Sequence, residues 1–290
     1  MNQLPYQTLI QNGMQEEKCC VVTCDNPIDQ NYWNQQYASN TTGWDLGEVA
    51  PAIKRYIDQL PSKTISILIP GCGNAHEAAY LMDQGFTNVT VIDIAPLLVE
   101  KLQEKFEGND RIKIVPGDFF DHQGQYDLII EQTFFCALPP FMRQRYANKM
   151  YRLLNNNGIL SGLLFDREFE DGPPFGGSRA EYENLFKAAF TFNRVEPCQE
   201  SVEKRAGNEL FIELQKDDSI NVALYAIDGI TCSNCSKTIV GQFMTVEGVL
   251  NCSISTDFKE LLLVSSREIP IESLRQILAY DKKYLIETKN

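Results

Sequence analysis

The feature that most restricts this chain is a regular alternation of apolar runs and amphipathic segments beginning at Ile65. SILIP (66–70) is a buried-type strand, HEAAYLMDQ (76–84) carries a helical period, and NVTVIDI (88–94) is a second strand. LLVEKLQEKF (97–106) is again helical, IKIVPGD (112–118) is a third strand and YDLIIEQ (126–132) a fourth. Strands separated by helical crossovers lie parallel, with the helices covering the faces of the sheet. The expected architecture is therefore α/β, a doubly wound and mainly parallel sheet.

The rhythm continues through FMRQRYANKMYRLL (141–154), which sets Met142, Tyr146, Met150, Leu153 and Leu154 on one helical face. Asn155-Asn156-Asn157-Gly158 reads as a turn that stops this helix before a fifth strand, ILSGLLF (159–165). FTFNRVEP (190–197) and NELFIELQ (208–215) have no helix between them, so the sheet should finish in an antiparallel hairpin, giving seven strands. Lys216 to Ser219 is a polar linker. Beyond it, NVALYAID, a helix over SKTIVGQFM, VLNCSIS, ELLLVSS, a helix over IESLRQIL, and KYLIET follow one another. That is a βαββαβ series, the ferredoxin-like order. The expected division is a polar arm at 1–30 carrying Cys19, Cys20 and Cys24, an α/β domain at 31–216, and a smaller ferredoxin-like domain at 220–290.

A chain of 290 residues that is 43 % apolar can bury two cores of this kind. Its formal net charge of -13 repels polyanions, which argues against nucleic acid and acidic membranes as partners and favours small molecules. The first residues lack a basic region followed by an apolar core, and no stretch approaches the roughly 20 apolar residues of a membrane span. The nine cysteines are odd in number and follow no disulfide-framework spacing, so a reducing cytoplasmic setting is expected.

Ile69-Pro70-Gly71-Cys72-Gly73 follows the first strand directly. A Gly-x-Gly turn there lets a ligand approach the backbone and aims the next helix N-terminus at it. His76 stands where a dinucleotide fingerprint has its third glycine, which disfavours the tight pyrophosphate turn of an NAD site. A ligand without a diphosphate, such as S-adenosylmethionine, is compatible. Asp93 closes the second strand, where a carboxylate can accept from both ribose hydroxyls. Asp118 and Phe119 end the third strand, suited to the amine and ring of adenine. Trp33 and Trp44, the only tryptophans, precede the first strand in a polar segment. They can fold over a cationic sulfonium and exclude water, or simply staple the arm to the core.

Residues from about 30 to 215 resemble the thiopurine S-methyltransferase superfamily, most closely its plant-type thiol and halide methyltransferase branch. The matching stretches are Tyr32-Trp33 through Gly43-Trp44-Asp45-Leu46-Gly47, IPGCG, VIDIA, FFCALPPFMRQRYANKMYRLL and DGPPFGGS. The resemblance implies a Rossmann-like, S-adenosylmethionine-dependent methyltransferase. It places cofactor contacts on Trp33, Tyr37, Trp44, Gly71, Asp93, Asp118, Phe119 and Gln132, with Gly73 in the same turn. Tyr37 stands where a tryptophan is usual and Gln132 where an aromatic is usual. Arg143 matches an arginine near the reaction centre of the thiopurine-methylating members.

Methyl transfer from a sulfonium is an in-line displacement, in which alignment can supply roughly 7–11 kcal/mol of the barrier. A thiolate, hydrosulfide or iodide needs no strong base, which suits a chain with only two histidines, His76 and His122. Phe134 and Phe175 are candidate walls of an apolar acceptor pocket, Arg143 can hold an anionic acceptor, and Gly172 to Gly177 reads as a hinged loop.

Gly229-Ile230-Thr231-Cys232-Ser233-Asn234-Cys235 is the second motif. Cys232 and Cys235, between the first strand and helix of the βαββαβ unit, can direct two thiolates at a soft ion such as Cu(I) or Zn(II). Residues from about 220 to 288 resemble the heavy-metal-associated domain of copper chaperones and metal-pumping ATPases, in GITCSNC and in the later Val246 to Val249. Ile230 replaces that family's usual Met. A four-ligand zinc site would need Cys252 or the cysteines of the arm as well. The leading expectation is an enzyme methylating a small thiol, thiopurine-like compound, hydrosulfide or halide. Its alternatives are a selenium or tellurium methyltransferase, and a metal carrier or sensor with a non-catalytic scaffold. The partners implied are a small-molecule acceptor, a soft metal ion and a metal-transfer protein.

Overall fold

The computed structural model describes residues 27–289. The expected alternation is realised as β1 (Ile67–Pro70), α3 (His76–Asp83), β2 (Val89–Asp93), α4 (Pro96–Lys105), β3 (Ile112–Pro116), β4 (Tyr126–Gln132), α5 (Arg143–Leu153) and β5 (Leu154–Phe165). A hairpin of β6 (Phe190–Pro197) and β7 (Glu209–Lys216) completes a seven-stranded sheet of order β3-β2-β1-β4-β5-β7-β6. β1 to β5 pair in parallel, and β7 is antiparallel to both of its neighbours. The sheet is the mainly parallel one expected.

Three helices lie outside the alternation. α1 (Gln30–Ala38) and α2 (Pro51–Asp58) precede β1, and α6 (Arg179–Phe186) lies between β5 and the hairpin. Asp29 caps α1 by accepting from Tyr32 N at 3.0 Å, and Ser178 caps α6 by accepting from Glu181 N at 3.3 Å. α1 is then tied across the molecule, because Asn34 Oδ1 accepts from Leu97 N at 2.9 Å. Leu97 lies in the first turn of α4, which has no capping side chain of its own.

The run Asn155 to Gly158 is a bulge rather than a separate turn. α5 passes straight into β5 at Leu154, Asn157 has φ +56°, and the pairing jumps from Tyr126↔Leu154 to Leu128↔Ile159. The extra residues loop out while the strand keeps its direction, as bulges do.

Leu68, Ile129, Leu160 and Leu164 pack on α5 and α6 through Tyr146, Met150 and Phe186. On the opposite face Ile67, Ile69, Val91 and Ile130 pack on Ile53, Leu81 and Leu98.

The remaining chain forms β8 (Asn221–Asp228), α7 (Ser233–Phe243), β9 (Val249–Ile254), β10 (Glu260–Ser265), α8 (Ile271–Leu278) and β11 (Leu285–Lys289). These strands make an antiparallel four-stranded sheet of order β11-β8-β10-β9. Every residue of β10 is buried, which requires cover on both faces of the sheet. Leu261 and Leu263 point to α7 and α8, packing with Ile239, Phe243, Leu274 and Leu278. Leu262 and Val264, one pleat out of phase, join Leu224 in the cluster that holds Tyr146 and Met150 of α5. α5 thus lies between the two sheets. Tyr151 on α5 donates its hydroxyl to the Asp217 carbonyl at 2.9 Å, which pins the polar linker.

Candidate active site

The carboxyl ends of β1 to β4 open on a cavity of about 540 Å³, within the roughly 300–1,000 Å³ typical of small-molecule sites. Its wall includes Trp33, Tyr37, Trp44, Gly71, Gly73, Asp93, Asp118, Phe119, Gln132 and Phe134. All nine residues read as cofactor contacts therefore line one cavity. Ligands of open α/β sheets bind at this edge, beside the β1–β4 switch in strand order.

Gly71 turns the chain after β1 with φ +54°, and a Cβ there would run into the Phe134 ring. Both the positive φ and the close approach require glycine. Asp93 is 8 % exposed and accepts from Gly73 N at 3.2 Å and Ala95 N at 3.0 Å. Burial pushes its carboxyl up to about 6, against the opposing pull of these backbone N–H groups. Asp118 accepts from Phe120 N at 2.8 Å, which fixes the turn after β3.

The aromatic segment closes the cavity from the side of α1. Trp33 and Trp44 meet edge to face with centroids 5.5 Å apart, and Tyr37 meets Trp44 the same way at 5.9 Å. Buried Arg205 donates to the Trp44 carbonyl at 2.7 Å and pairs with buried Glu209 at 3.4 Å. Asp45 faces His76 Nε2 at 2.8 Å and accepts from Gly47 N at 2.8 Å and from the Asn74 amide. Burial raises the Asp45 carboxyl, but these hydrogen bonds outweigh it and leave it below its ordinary value. The end of the segment that carries Trp44 is thus latched on two sides, to the start of α3 through Asp45 and to Arg205 through the adjacent Trp44 carbonyl.

In the turn after β4, which the sequence marks through Gln132 and Phe134, the residues it does not mark are Glu131 and Thr133. Thr133 has φ +59°, a strained conformation for a β-branched residue. Buried Glu131 holds it there, accepting from Phe134 N at 2.8 Å, Phe135 N at 2.9 Å and the Tyr146 hydroxyl at 2.5 Å. Burial pushes the Glu131 carboxyl up to about 7, opposed by those same donors. Phe134 is thereby set against Gly71 and meets Phe119 at 5.0 Å. A glutamate inside an apolar strand was the available signal.

Arg143 and Phe175 are placed differently from Phe134. Arg143 is buried, donates to Glu181 and to the Gly176 carbonyl, and lies over the Phe135 ring at 5.0 Å. It is absent from the cavity wall, to which its neighbour Met142 contributes. The Phe175 ring packs on Gly172 and its N–H donates to the Cys136 carbonyl at 2.6 Å. Pro173 and Pro174, rather than Phe175, reach the cavity. The cations that line it are Arg167, Lys204 and Arg205.

These features can be set beside known proteins. The family model "Thiopurine S-methyltransferase (TPMT)" matches residues 28–218. This chain belongs to the thiopurine S-methyltransferase family. Among its relatives is thiocyanate methyltransferase 1 of Brassica oleracea, 29 % identical over 63 % of this chain and 83 % of that protein. A thiopurine S-methyltransferase of Vibrio vulnificus (strain YJ016) is 28 % identical over 54 % of this chain and 81 % of that one. The solved 1,6-didemethyltoxoflavin-N1-methyltransferase of Burkholderia thailandensis superposes with a TM-score of 0.50 and 19 % identity, covering 67 % of this chain and 93 % of that one. That likeness concerns the fold alone. The protein is a methyltransferase enzyme, and Gly71, Asp93 and Asp118 sit in the part that the family match covers.

The C-terminal cysteines of the methyltransferase lie beyond the match. Cys232 caps α7 and accepts from Cys235 N at 3.3 Å, with the two sulfurs 2.7 Å apart. The Cys235 thiol and these backbone contacts lower the Cys232 pKa. Cys252 is buried among the apolar residues under α7, where burial pushes its thiol up to about 12. Among the described residues no group of three or more His, Cys, Asp or Glu side chains is placed to hold a metal ion. Cys19, Cys20 and Cys24 lie outside the described residues. No described helix is long and apolar enough to cross a membrane.

Proposed function

We infer that this methyltransferase uses S-adenosylmethionine to methylate a small soft nucleophile: a thiol, a thiopurine-like thiol, hydrosulfide or a halide. The observation that carries this reading is Asp93, buried at the cavity edge with each carboxylate oxygen oriented by one backbone N–H. S-adenosylmethionine, when bound, supplies a methyl group on a positively charged sulfur. The residues present fit it. Asp93 can accept from a ribose diol, Asp118 and Phe119 suit adenine, and Trp33, Tyr37 and Trp44 offer ring faces and edges that exclude water. Gly71 and Gly73 leave the backbone bare where the amino-acid end would lie.

The acceptor would enter on the side of Phe134, Pro173 and Pro174, in a cavity whose lining also includes the cations Arg167 and Lys204; the charge of Arg205 is met by Glu209. A soft anion attacks without a base, and His76 is already engaged by Asp45. Arg143 acts on the acceptor side only indirectly, by tying Gly176 and Glu181 behind the 172–177 loop. A headspace assay offering thiol, sulfide, iodide, selenite and tellurite with S-adenosylmethionine tests the reading. A methylated volatile product from the first three is expected. No product from any acceptor would overturn it.

The second sheet supports a further reading, with domains at 31–216 and 220–290, the latter ferredoxin-like and heavy-metal-associated. The exposed Cys232 thiol beside Cys235 suits a two-coordinate soft ion such as Cu(I), received from or passed to a metal-transfer protein. That pair is the reason to include selenium and tellurium among the acceptors. The odd cysteine count without a disulfide-framework spacing favours a reducing, cytoplasmic setting.

A further inference from the structure

Asp118 to Phe120 form one edge of the cavity, and they are held from behind by α5. Lys149 Nζ donates to the Phe120 carbonyl at 2.7 Å, and the Arg145 guanidinium lies over the Phe120 ring at 5.6 Å. Arg145 is in turn held by the second sheet. Its Nε donates to Glu260 Oε1 at 2.9 Å, its Nη2 reaches the same oxygen, and so does Lys289 on β11. Glu260 opens β10 and is 3 % exposed, and its Oε2 has no partner. An acid so deeply buried is held by its cations, and they by it. Nearby, Asn251 donates to the Asn184 carbonyl at 2.8 Å, and Leu262 and Val264 pack on the α5 side.

We propose that Glu260 is a positioning residue for the cofactor cavity, acting through Arg145 on Phe120. The C-terminal unit is then a fixed wall of the enzyme rather than a swinging carrier. Its sheet face is occupied by α5, while the Cys232 thiol stays open to solvent. The family match ends at residue 218, so Glu260 lies outside what the family accounts for. The binding arm of the test rests on the S-adenosylmethionine reading; the exchange arm does not.

The test uses the full chain with Glu260→Gln, which keeps an acceptor for Arg145 but removes the charge. Arg145→Lys is the second variant, keeping the ion pair but removing the planar guanidinium from the Phe120 ring. Asp228→Asn, on an exposed pair with Lys259 of the same unit, is the control. Hydrogen exchange at the Phe120 to His122 amides should speed up roughly three- to tenfold in both variants, as expected when a charge-assisted contact is weakened. Calorimetry with S-adenosylhomocysteine should show affinity falling by a similar factor, with the control at parental values. Uniform exchange across the chain with parental affinity would make Glu260 merely structural and overturn the proposal. If the parent itself binds no S-adenosylhomocysteine, the cofactor reading fails, and the exchange pattern alone decides the role of Glu260.

Discussion

The affinity of the enzyme for its cofactor should depend on pH through Asp93. Burial disfavours the charge and pushes its carboxyl up to about 6. Only the carboxylate can accept from two ribose hydroxyls while also accepting from Gly73 N and Ala95 N. At pH 7.5 almost every molecule is ionised; at pH 5 about one in eleven is, so the dissociation constant should rise about elevenfold between them. Each further unit of acid adds about a factor of ten. Isothermal calorimetry with S-adenosylhomocysteine from pH 5 to 7.5 reads this directly. Asp93→Asn should remove the slope and weaken binding at pH 7.5 by about 3 kcal/mol or more, over a hundredfold, from two charge-assisted hydrogen bonds. The stability effect has the opposite sign. The folded-state pKa lies above the ordinary 3.8, so the protein loses about 3 kcal/mol of stability as pH rises from about 4 to 6 and stays penalised at neutral pH. Asp93→Asn removes that penalty but sets an amide N–H₂ against one backbone donor, which costs about 1–3 kcal/mol. The variant should therefore melt at or slightly above the parent while binding far more weakly. A flat parental profile between pH 5 and 7 would refute this account of the site.

Glu131→Ala strands two backbone donors and the Tyr146 hydroxyl, and should destabilise the fold by about 3 kcal/mol or more in urea unfolding, since each buried orphan costs about 1–3. A loss under 1 kcal/mol would mean that the Thr133 turn holds without it. Trp33 and Trp44 are the only tryptophans, so cofactor binding should change the intrinsic fluorescence, and Trp44→Phe should remove most of that change. Leu262→Ala empties a fully buried site between the sheets and should cost about 2–5 kcal/mol, with one cooperative melting transition for the whole chain. Two separate transitions in the parent would show that the sheets fold independently. In Cu(I) competition against a chelator, Cys232→Ser should lose the tight site of the parent, and equal binding would remove the metal reading.

The strands and their edge were legible because periodicity and strand ends are local properties. Ile67 to Pro70 is apolar throughout, Gly71 follows at once, Asp93 closes β2 and Asp118 follows β3, so three cavity residues could be placed without coordinates. α1 and α6 were not legible. They are short and mostly polar, and their positions depend on the caps at Asp29 and Ser178 and on docking, as through Asn34 on α4. The Asn155–Gly158 run has turn composition, yet the strand resumes in line beyond it because β4 pairs with Leu154 before the run and with Ile159 after it. Arg143 matched a motif, but its long side chain found Glu181 and the Gly176 carbonyl instead of the cavity. Arg205, from a segment with no motif, reached it.

By itself the sequence determined the α/β alternation, the ligand edge at Gly71, Asp93 and Asp118, and the thiol pair at Cys232 and Cys235. Each is set by residues close together in the chain, through the period of burial or through spacing. Tertiary structure alone decided that α5 is shared between the two sheets, because burial of Leu262 and Val264 reveals cover without naming what provides it. It also decided that Glu260 grips Arg145 and that Glu131 holds the strained Thr133 turn. A buried charge is stable only beside its counter-charge or its donors, and for Glu260 that partner lies 115 residues away.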